Sequence, residues 1–407
     1  MITTSLLEKK GYDMLDKNGE RMLAYTVTID SITPIEKADN IELAHVGGWN
    51  VIIRKHEFSV GDMAVFFEID SLLPETEWSE FLRQKKFKVK TYKLGKFNVI
   101  SQGLLLPMSI LPDNKEYALH EDVTNLLGIK YYVAEDNARK AKSNPDAKYN
   151  NMCARNAKLA KKKWWKWLMK RAWGRKLLFV FFGRKKDNPK NWPVWVKKTD
   201  EDRIENVMFM LEDKNPYVVT EKIDGTSTTF FLDLTGRKPD FGVCSRNVRQ
   251  MDADQKNFVS DMSGIGNVYW EMAFKYNVEN ALKDIAKKHN HKHVVLQGET
   301  YGESVQGNKY KLDERRFAAF NLIFDGERLG SVEAKKILAE YNIPFVPIID
   351  DNYILPDADD FEEFKQSADG KSVINKKCLR EGFVYRSQDG QKSFKNVSRK
   401  FLLKAGE

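Results

Sequence analysis

Over the first hundred residues apolar and polar positions alternate with a period close to two. Val27 and Ile29 alternate with Thr26, Thr28 and Asp30 until Pro34 closes the run. Beyond the Gly47–Gly48 turn, Trp49, Val51 and Ile53 keep the alternation, and Val60–Gly61–Asp62 marks a further turn before the apolar run Met63–Ile69. Strands this short predict a small barrel or sandwich through about residue 110. The pattern changes at Ala157–Ala172, which lacks Gly and Pro and is rich in Lys, Leu, Met and Trp; it predicts a helix, with Gly174, Gly183, Pro189 and Pro193 punctuating the stretch beyond it. From Val194 onward strands and helices mix. Val218–Thr220 and Ser227–Leu232 read as strands flanking a tight turn, Val294–Gly298 and Phe317–Phe324 as two more. Ser331 is placed to cap an amphipathic helix through Tyr341, and Phe383–Arg386 with Ser393–Val397 read as a terminal hairpin.

Length and composition bound these elements. A chain of 407 residues holds two or three domains at roughly 150 residues each. With 42% hydrophobic residues it can bury cores, which excludes global disorder. Three scattered cysteines (Cys153, Cys244, Cys378) exclude a disulfide framework and a cysteine-rich zinc site. No signal peptide is visible and Leu177–Phe182 is far too short to span a bilayer, so the expectation is a soluble, cytoplasmic protein. A five-stranded OB-type barrel matches the N-terminal size, although periodicity alone does not separate it from other small barrels.

The charge is uneven. Net charge is +9, yet between Arg139 and Lys198 there are 20 Lys+Arg against two acids, a net of +18, so the remainder is net −9. Six of the nine tryptophans share this block. Cations interleaved with indoles suit RNA, cations on phosphates and indoles on bases. A charged helix docked on a neighbouring domain, or an amphipathic helix on an anionic membrane surface, fits the same residues, but contact with RNA is the expectation. The expected division is an N-terminal module over 1–130 with residues 1–20 as an arm, a basic Trp-rich helical segment over 131–190, and a mixed domain over 191–407.

The sharpest local feature is Thr220-Glu221-Lys222-Ile223-Asp224-Gly225, a lysine after a β run followed by Asp-Gly. Alone it equally describes a surface lysine before an ordinary hairpin turn. Further on stand Ser245-Arg246-Asn247, Leu296-Gln297-Gly298-Glu299-Thr300-Tyr301-Gly302, Gln306-Gly307-Asn308-Lys309-Tyr310 and Phe317-Ala318-Ala319-Phe320-Asn321. Arg380-Glu381-Gly382-Phe383-Val384 and Lys392-Ser393-Phe394-Lys395 complete the order. The series resembles motifs I, Ia, III, IIIa, IV and V of the covalent nucleotidyltransferases, the ligases and mRNA capping enzymes. Lys198-Thr199-Asp200-Glu201-Asp202-Arg203-Ile204-Glu205-Asn206 resembles the segment preceding the lysine in RNA ligase 2-like enzymes. In the N-terminal part, the run from Ile32 through Leu43, Val60-Gly61-Asp62 and Ser101-Gln102-Gly103-Leu104 resemble the OB module of RNA ligases of the Deinococcus and Naegleria type, the RNA ligase 5 family. The resemblance covers about residues 22–110 and 191–404 and omits the basic block.

The resemblance implies an α+β chain: an OB-type barrel, then a nucleotidyltransferase domain of antiparallel sheets flanked by helices. It implies an ATP-dependent RNA ligase joining 3′-hydroxyl and 5′-phosphate ends through a lysyl–AMP intermediate, with ATP and Mg²⁺ or Mn²⁺ as cofactors. The implied partner is RNA, as a nicked duplex, paired ends or an RNA/DNA hybrid; a monomer with no stable membrane association is expected. Lys222, Lys395, Glu381 and Arg203 are the implied catalytic residues. Glu221, Asp224, Gly225, Arg246, Glu299, Phe320 and Lys392 are the implied nucleotide-binding set, and Glu381 and Glu299 the metal ligands. Glu221 is placed to accept from an adenine amino group, Glu299 to bind ribose hydroxyls, and Phe320 to stack on the base or simply to fill the core. Two residues separate Lys392 and Lys395 where related enzymes have one, so Lys395 carries the assignment better. Lys222 has to react as a free amine, although lysine ordinarily titrates near ~10.4; burial and cations such as Lys395 are expected to lower it. The clustered His289, His291 and His293 have no acidic partner nearby in sequence and read as a solvated loop. A DNA ligase, a guanylyltransferase and an inactive RNA-binding relative are the alternatives; the first two usually carry their OB domain after the catalytic one.

Overall fold

The structure, a computed structural model, describes residues 22–112, 115–132, 157–160, 162–182, 192–197, 199–246, 248–250 and 267–405. The expected N-terminal arm and much of the basic block lie outside them.

The alternating N-terminal pattern folds into two three-stranded antiparallel sheets. One pairs Ala24–Thr28 with Met63–Phe67 and then Leu104–Pro107; the other runs Ser31–Pro34, Ile41–Val46, Trp49–Arg54. Their inward residues, among them Tyr25, Val27, Trp49, Val51 and Phe66, form one core. This is the OB-fold module, mounted on a larger α+β part.

Two antiparallel sheets make up that larger part. A four-stranded sheet has the order Ile348–Tyr353, Tyr217–Lys222, Gly382–Ser387, Ser393–Val397. A five-stranded sheet runs Asp240–Cys244, Thr226–Asp233, His293–Gly302, Arg315–Phe324, Glu327–Arg328. Helices Val268–Lys275, Val278–His289 and Ser331–Ala339 cover one face of the five-stranded sheet through Trp270, Leu282, Ile285 and Leu338, packed on Phe230, Leu296 and Leu322. In this part the predicted strands and terminal hairpin are all present, Ser393–Val397 with the expected bounds and the others extended by one to several residues, and a helix at Arg399–Ala405 follows them.

Polar contacts seat the module on this part. Asn206 accepts from the Trp49 indole at 2.7 Å and donates to Glu68 at 2.7 Å. Arg399 donates to Gln102 at 3.1 Å, and the Gly48 amide donates to the Glu205 carbonyl at 3.0 Å. The buried Lys365–Glu205 ion pair lies beneath this junction.

Two local expectations change. The helix expected over Ala157–Ala172 is three pieces, Ala157–Ala160, Lys163–Met169 and Ala172–Phe182, and the last runs through Gly174. A Cβ on Gly174 would lie 2.3 Å from the Leu168 carbonyl oxygen, so close helix contact, not helix termination, explains that glycine. Ser331 is the first helical residue and Gly330 takes the capping position, with no side-chain cap. Among the described residues no helix is long and apolar enough to cross a membrane.

Candidate active site

Lys222 is the last residue of its strand in the four-stranded sheet, and Thr226 is the first residue of a strand in the five-stranded sheet. Ile223, Asp224 and Gly225 therefore carry the chain from one sheet to the other. The crossing is tight: a Cβ on Gly225 would meet the Thr300 carbonyl oxygen at 2.3 Å. Tyr310 holds it from below, its phenol oxygen accepting from the Asp224 amide at 2.8 Å, and Lys309 pairs with the Asp224 carboxylate at 2.7 Å.

Around this crossing lies a cleft of about 720 Å³. Of the residues singled out from the sequence, Lys222, Lys395, Glu381, Arg203, Glu221, Asp224, Gly225, Arg246, Glu299 and Phe320 all line it. The segment preceding the lysine runs beside the last strand, Lys395 N donating to Asp202 O at 2.7 Å and Ile204 N to Lys395 O at 2.9 Å. That pairing sets Arg203 next to Lys395. Phe320 packs with Ile223 and Val346 while also lining the cleft, so it is part core and part wall. Glu221 is buried; one carboxylate oxygen accepts from Val373 N at 2.7 Å and the other has no hydrogen-bond partner.

Opposed charges dominate the electrostatics. Lys222 Nζ donates to Glu381 Oε1 at 2.6 Å, and the second Glu381 oxygen is buried with no partner. Burial disfavours the Lys222 ammonium, but Glu381, Glu299 and Asp224 together outweigh it and raise its pKa. The expected lowering is therefore reversed, because three carboxylates surround the amine and outweigh the desolvation. Those carboxylates carry the reciprocal strain. Burial, with repulsion from Glu381 and Asp224, pushes Glu299 up to about 8 against the pull of Lys222. Burial and Glu381 push Asp224 to about 6, against the pull of Lys309 and Lys222. The local cluster is short of positive charge.

Lys392 does not join the cleft. It is the residue before the strand Ser393–Val397, on the opposite parity to Lys395, and its ammonium bonds Asp213 at 2.5 Å beside a separate 410 Å³ cavity. The residue of the strand that shares the parity of Lys395 is Ser393, whose hydroxyl donates to Glu201; it too lines the separate cavity. Of the three histidines, His291 lies in the connection before the strand, with Nδ1 2.8 Å from Asp325, whereas His289 ends the helix Val278–His289 and His293 opens the strand His293–Gly302, 3.4 Å from Asp233. Among the described residues no group of three or more His, Cys, Asp or Glu stands in a metal-holding arrangement.

Several cleft residues escaped sequence reasoning. Asp200 receives Lys395 at 2.8 Å and Arg246 at 2.6 Å, fixing both cations at one wall. The OB module also contributes to the lining, where Asp70 lies 3.9 Å from Lys88 and 3.7 Å from Arg203. The buried Arg386 also lines the cleft, bonded to the half-buried Glu201 at 2.9 Å. For Asp200 the signal was its place in the segment before the lysine; Asp70 and Lys88 carried none.

Comparison with known proteins agrees with this arrangement. The RNA ligase family model matches residues 215–405, and an OB-fold domain model matches residues 23–108. No curated protein matches the chain. Among solved structures, a mutant of Naegleria gruberi RNA ligase with ATP and Mn is 27% identical with a TM-score of 0.71, covering 95% of this chain and 100% of that one. A second mutant of the same enzyme without ligand is 27% identical, TM-score 0.70, over 94% and 98% of the two chains. A third, with AMP and Mn, is also 27% identical, TM-score 0.70, over 94% and 99%. With the barrel, the lysine crossing and the motif order all in place, the chain pairs an OB-fold domain with an RNA ligase domain, in an arrangement similar to that of Naegleria gruberi RNA ligase.

Proposed function

We propose that this chain, an ATP-dependent RNA ligase, seals 3′-hydroxyl and 5′-phosphate RNA ends through AMP carried on Lys222. The observation that carries the reading is Lys222 at the sheet crossing, beside three carboxylates, in a cleft whose lining also includes Lys395, Arg203 and Arg246. In the first step the Lys222 Nζ lone pair forms a bond to the α-phosphorus of ATP, the bond to the β-phosphate oxygen breaks, and pyrophosphate leaves. AMP then passes to an RNA 5′-phosphate, and a 3′-hydroxyl displaces it as the strand is joined.

Each step makes demands that the cleft residues can meet. The adenine amino group finds the unpartnered Glu221 oxygen as its acceptor, and Phe320 offers a face for stacking. Lys395, Arg203 and Arg246 neutralise charge that builds on the phosphate. A divalent cation fits the carboxylate side, since the unpartnered Glu381 oxygen and the raised Glu299 both call for positive charge. Hard cations of this kind take one or two carboxylates with the rest of their shell from phosphate and water, so a complete protein cage is unnecessary. Glu381 and Glu299 would hold the cation, which would supply charge stabilisation at the phosphates. Lys222 has to give up its proton to react, and it would do so more readily with those two carboxylates engaged elsewhere. The enzyme is proposed to act as a monomer in the cytoplasm, on nicked duplexes or paired ends.

The test is incubation with divalent metal and nucleotide labelled at the α-phosphate, followed by nicked duplexes with RNA or DNA 3′-hydroxyl strands. An acid-labile adduct from ATP and sealing at an RNA end are expected. Label from GTP in place of ATP would assign a guanylyltransferase, and absence of any adduct would leave an RNA-binding relative.

A further inference from the structure

The helical hairpin 162–182 stands outside the chemistry above and carries its own surface. Between residues 162 and 182 there are seven cations and no acid. Helices Lys163–Met169 and Ala172–Phe182 close on each other through the buried Trp165 and Leu178, with Leu168 and Met169 around them. That small core leaves large apolar side chains outside: Trp173 is 56% exposed, Leu177 44% and Phe181 72%. These three recur every fourth residue and so share one face of their helix. Trp167, 51% exposed, meets Trp173 edge-on at 6.0 Å and carries the stripe onto the first helix, where Trp164 is 43% exposed. Lys163, Lys166, Lys170, Arg171 and Lys176 are exposed around it.

Among the described residues of the hairpin, every charged side chain beside this apolar stripe is a cation, and such a surface is matched by a partner with both apolar depth and negative charge. Single-stranded RNA brings charge and aromatic faces, which suits the indoles but gives Leu177 nothing to bury against. An anionic bilayer surface brings both: acyl chains for Leu177 and Phe181, the interface for the tryptophans, and acidic headgroups for the cations. A helix of 11 residues is too short to span and would lie in the plane of the interface.

We propose that the hairpin is a reversible docking surface for anionic lipid bilayers. Trp173, Leu177 and Phe181 insert, and the flanking lysines and arginines engage the headgroups. The contact is peripheral and salt-sensitive.

The experiment is co-sedimentation of the full chain with vesicles of phosphatidylcholine alone or mixed with phosphatidylglycerol, alongside a mobility-shift measurement with single-stranded RNA. Binding to the mixed vesicles is expected to exceed binding to neutral ones at least about tenfold and to fall with added salt. Trp173→Ser/Leu177→Ser/Phe181→Ser and, separately, Lys163→Gln/Lys166→Gln/Lys170→Gln/Arg171→Gln should each abolish vesicle binding while adduct formation with ATP is unchanged. Unchanged adduct formation shows that the remainder of the chain is folded, and the single variant Leu177→Asn, which leaves Trp165 and Leu178 in place, should also weaken vesicle binding. No sedimentation, equal sedimentation with neutral vesicles, or variants that lose RNA binding but keep vesicle binding would each overturn the proposal.

Discussion

The cleft and the helical hairpin are both rich in charge, and they handle it in opposite ways. In the cleft, cations and carboxylates are paired with one another, from the buried Lys395 to the exposed Arg246: Lys222 with Glu381, Lys395 and Arg246 with Asp200, Lys309 with Asp224. In the hairpin one sign is displayed to solvent beside exposed indoles. Burial converts opposed charges into shifted protonation equilibria, the raw material of acid–base and nucleophilic chemistry. Display leaves charge free for a partner outside the molecule. The net charge of +9 is therefore an average over a cationic block of +18 and a remainder of −9 that holds the carboxylate-rich cleft.

The comparison breaks first at the nucleophile. Lys222→Ala should lower adduct formation at least about 10⁴-fold, the scale of losing a covalent nucleophile. Next, Lys395→Ala should slow adduct formation about 10²–10³-fold, the scale of removing one charge-stabilising contact in a transition state. Lys392→Ala should change it less than about twofold, because a solvated ion pair on Asp213 contributes little. Single-turnover rates at saturating ATP read both. Buried pairing also has a structural cost when broken: Lys365→Met leaves Glu205 uncompensated and should lower stability by about 3–5 kcal/mol in denaturant unfolding. Lys166→Gln in the hairpin should leave the unfolding midpoint where it is.

Glu299 sharpens the contrast further. Its folded pKa of about 8 lies above the value of 4.5 it takes without perturbation, so between those pH values the folded state holds more protons than the unfolded. Stability contributed by this group is therefore present at low pH and lost as pH rises through that window. Glu299→Gln should remove that fall and make the ligand-free protein more stable at pH 8, by roughly 1–3 kcal/mol. The same protonation predicts proton release when Mn²⁺ and ATP bind near pH 7, fading near pH 9. Calorimetry in buffers of different ionisation enthalpy would read it, and binding without proton uptake or release at pH 7 would contradict the carboxylate assignment.

How far the site was legible depended on the range of the interactions involved. Strand positions, the Lys222 segment and the motif order are local patterns, and ten of the eleven singled-out residues meet in one cleft. The parity of Lys392 was legible too: an odd separation from Lys395 puts two strand positions on opposite faces. What was hidden came from tertiary packing. The direction of the Lys222 shift depends on Glu299 and Glu381, distant in sequence, converging on one amine. The cleft wall of Asp70 and Lys88 depends on how the barrel is seated, through Asn206 and Arg399. Gly174 looked like a stop because a close helix crossing leaves no mark in a single sequence.

The central claim is that AMP is carried on Lys222, and mapping the modified residue tests it most directly. The protein is treated with ATP and Mn²⁺, digested under neutral conditions and its peptides fragmented by mass spectrometry. AMP is predicted on the Lys222 side chain and nowhere else, at close to one per chain, and it should discharge on addition of pyrophosphate. AMP attached to another residue, or persisting in Lys222→Ala at the wild-type level, would contradict the account.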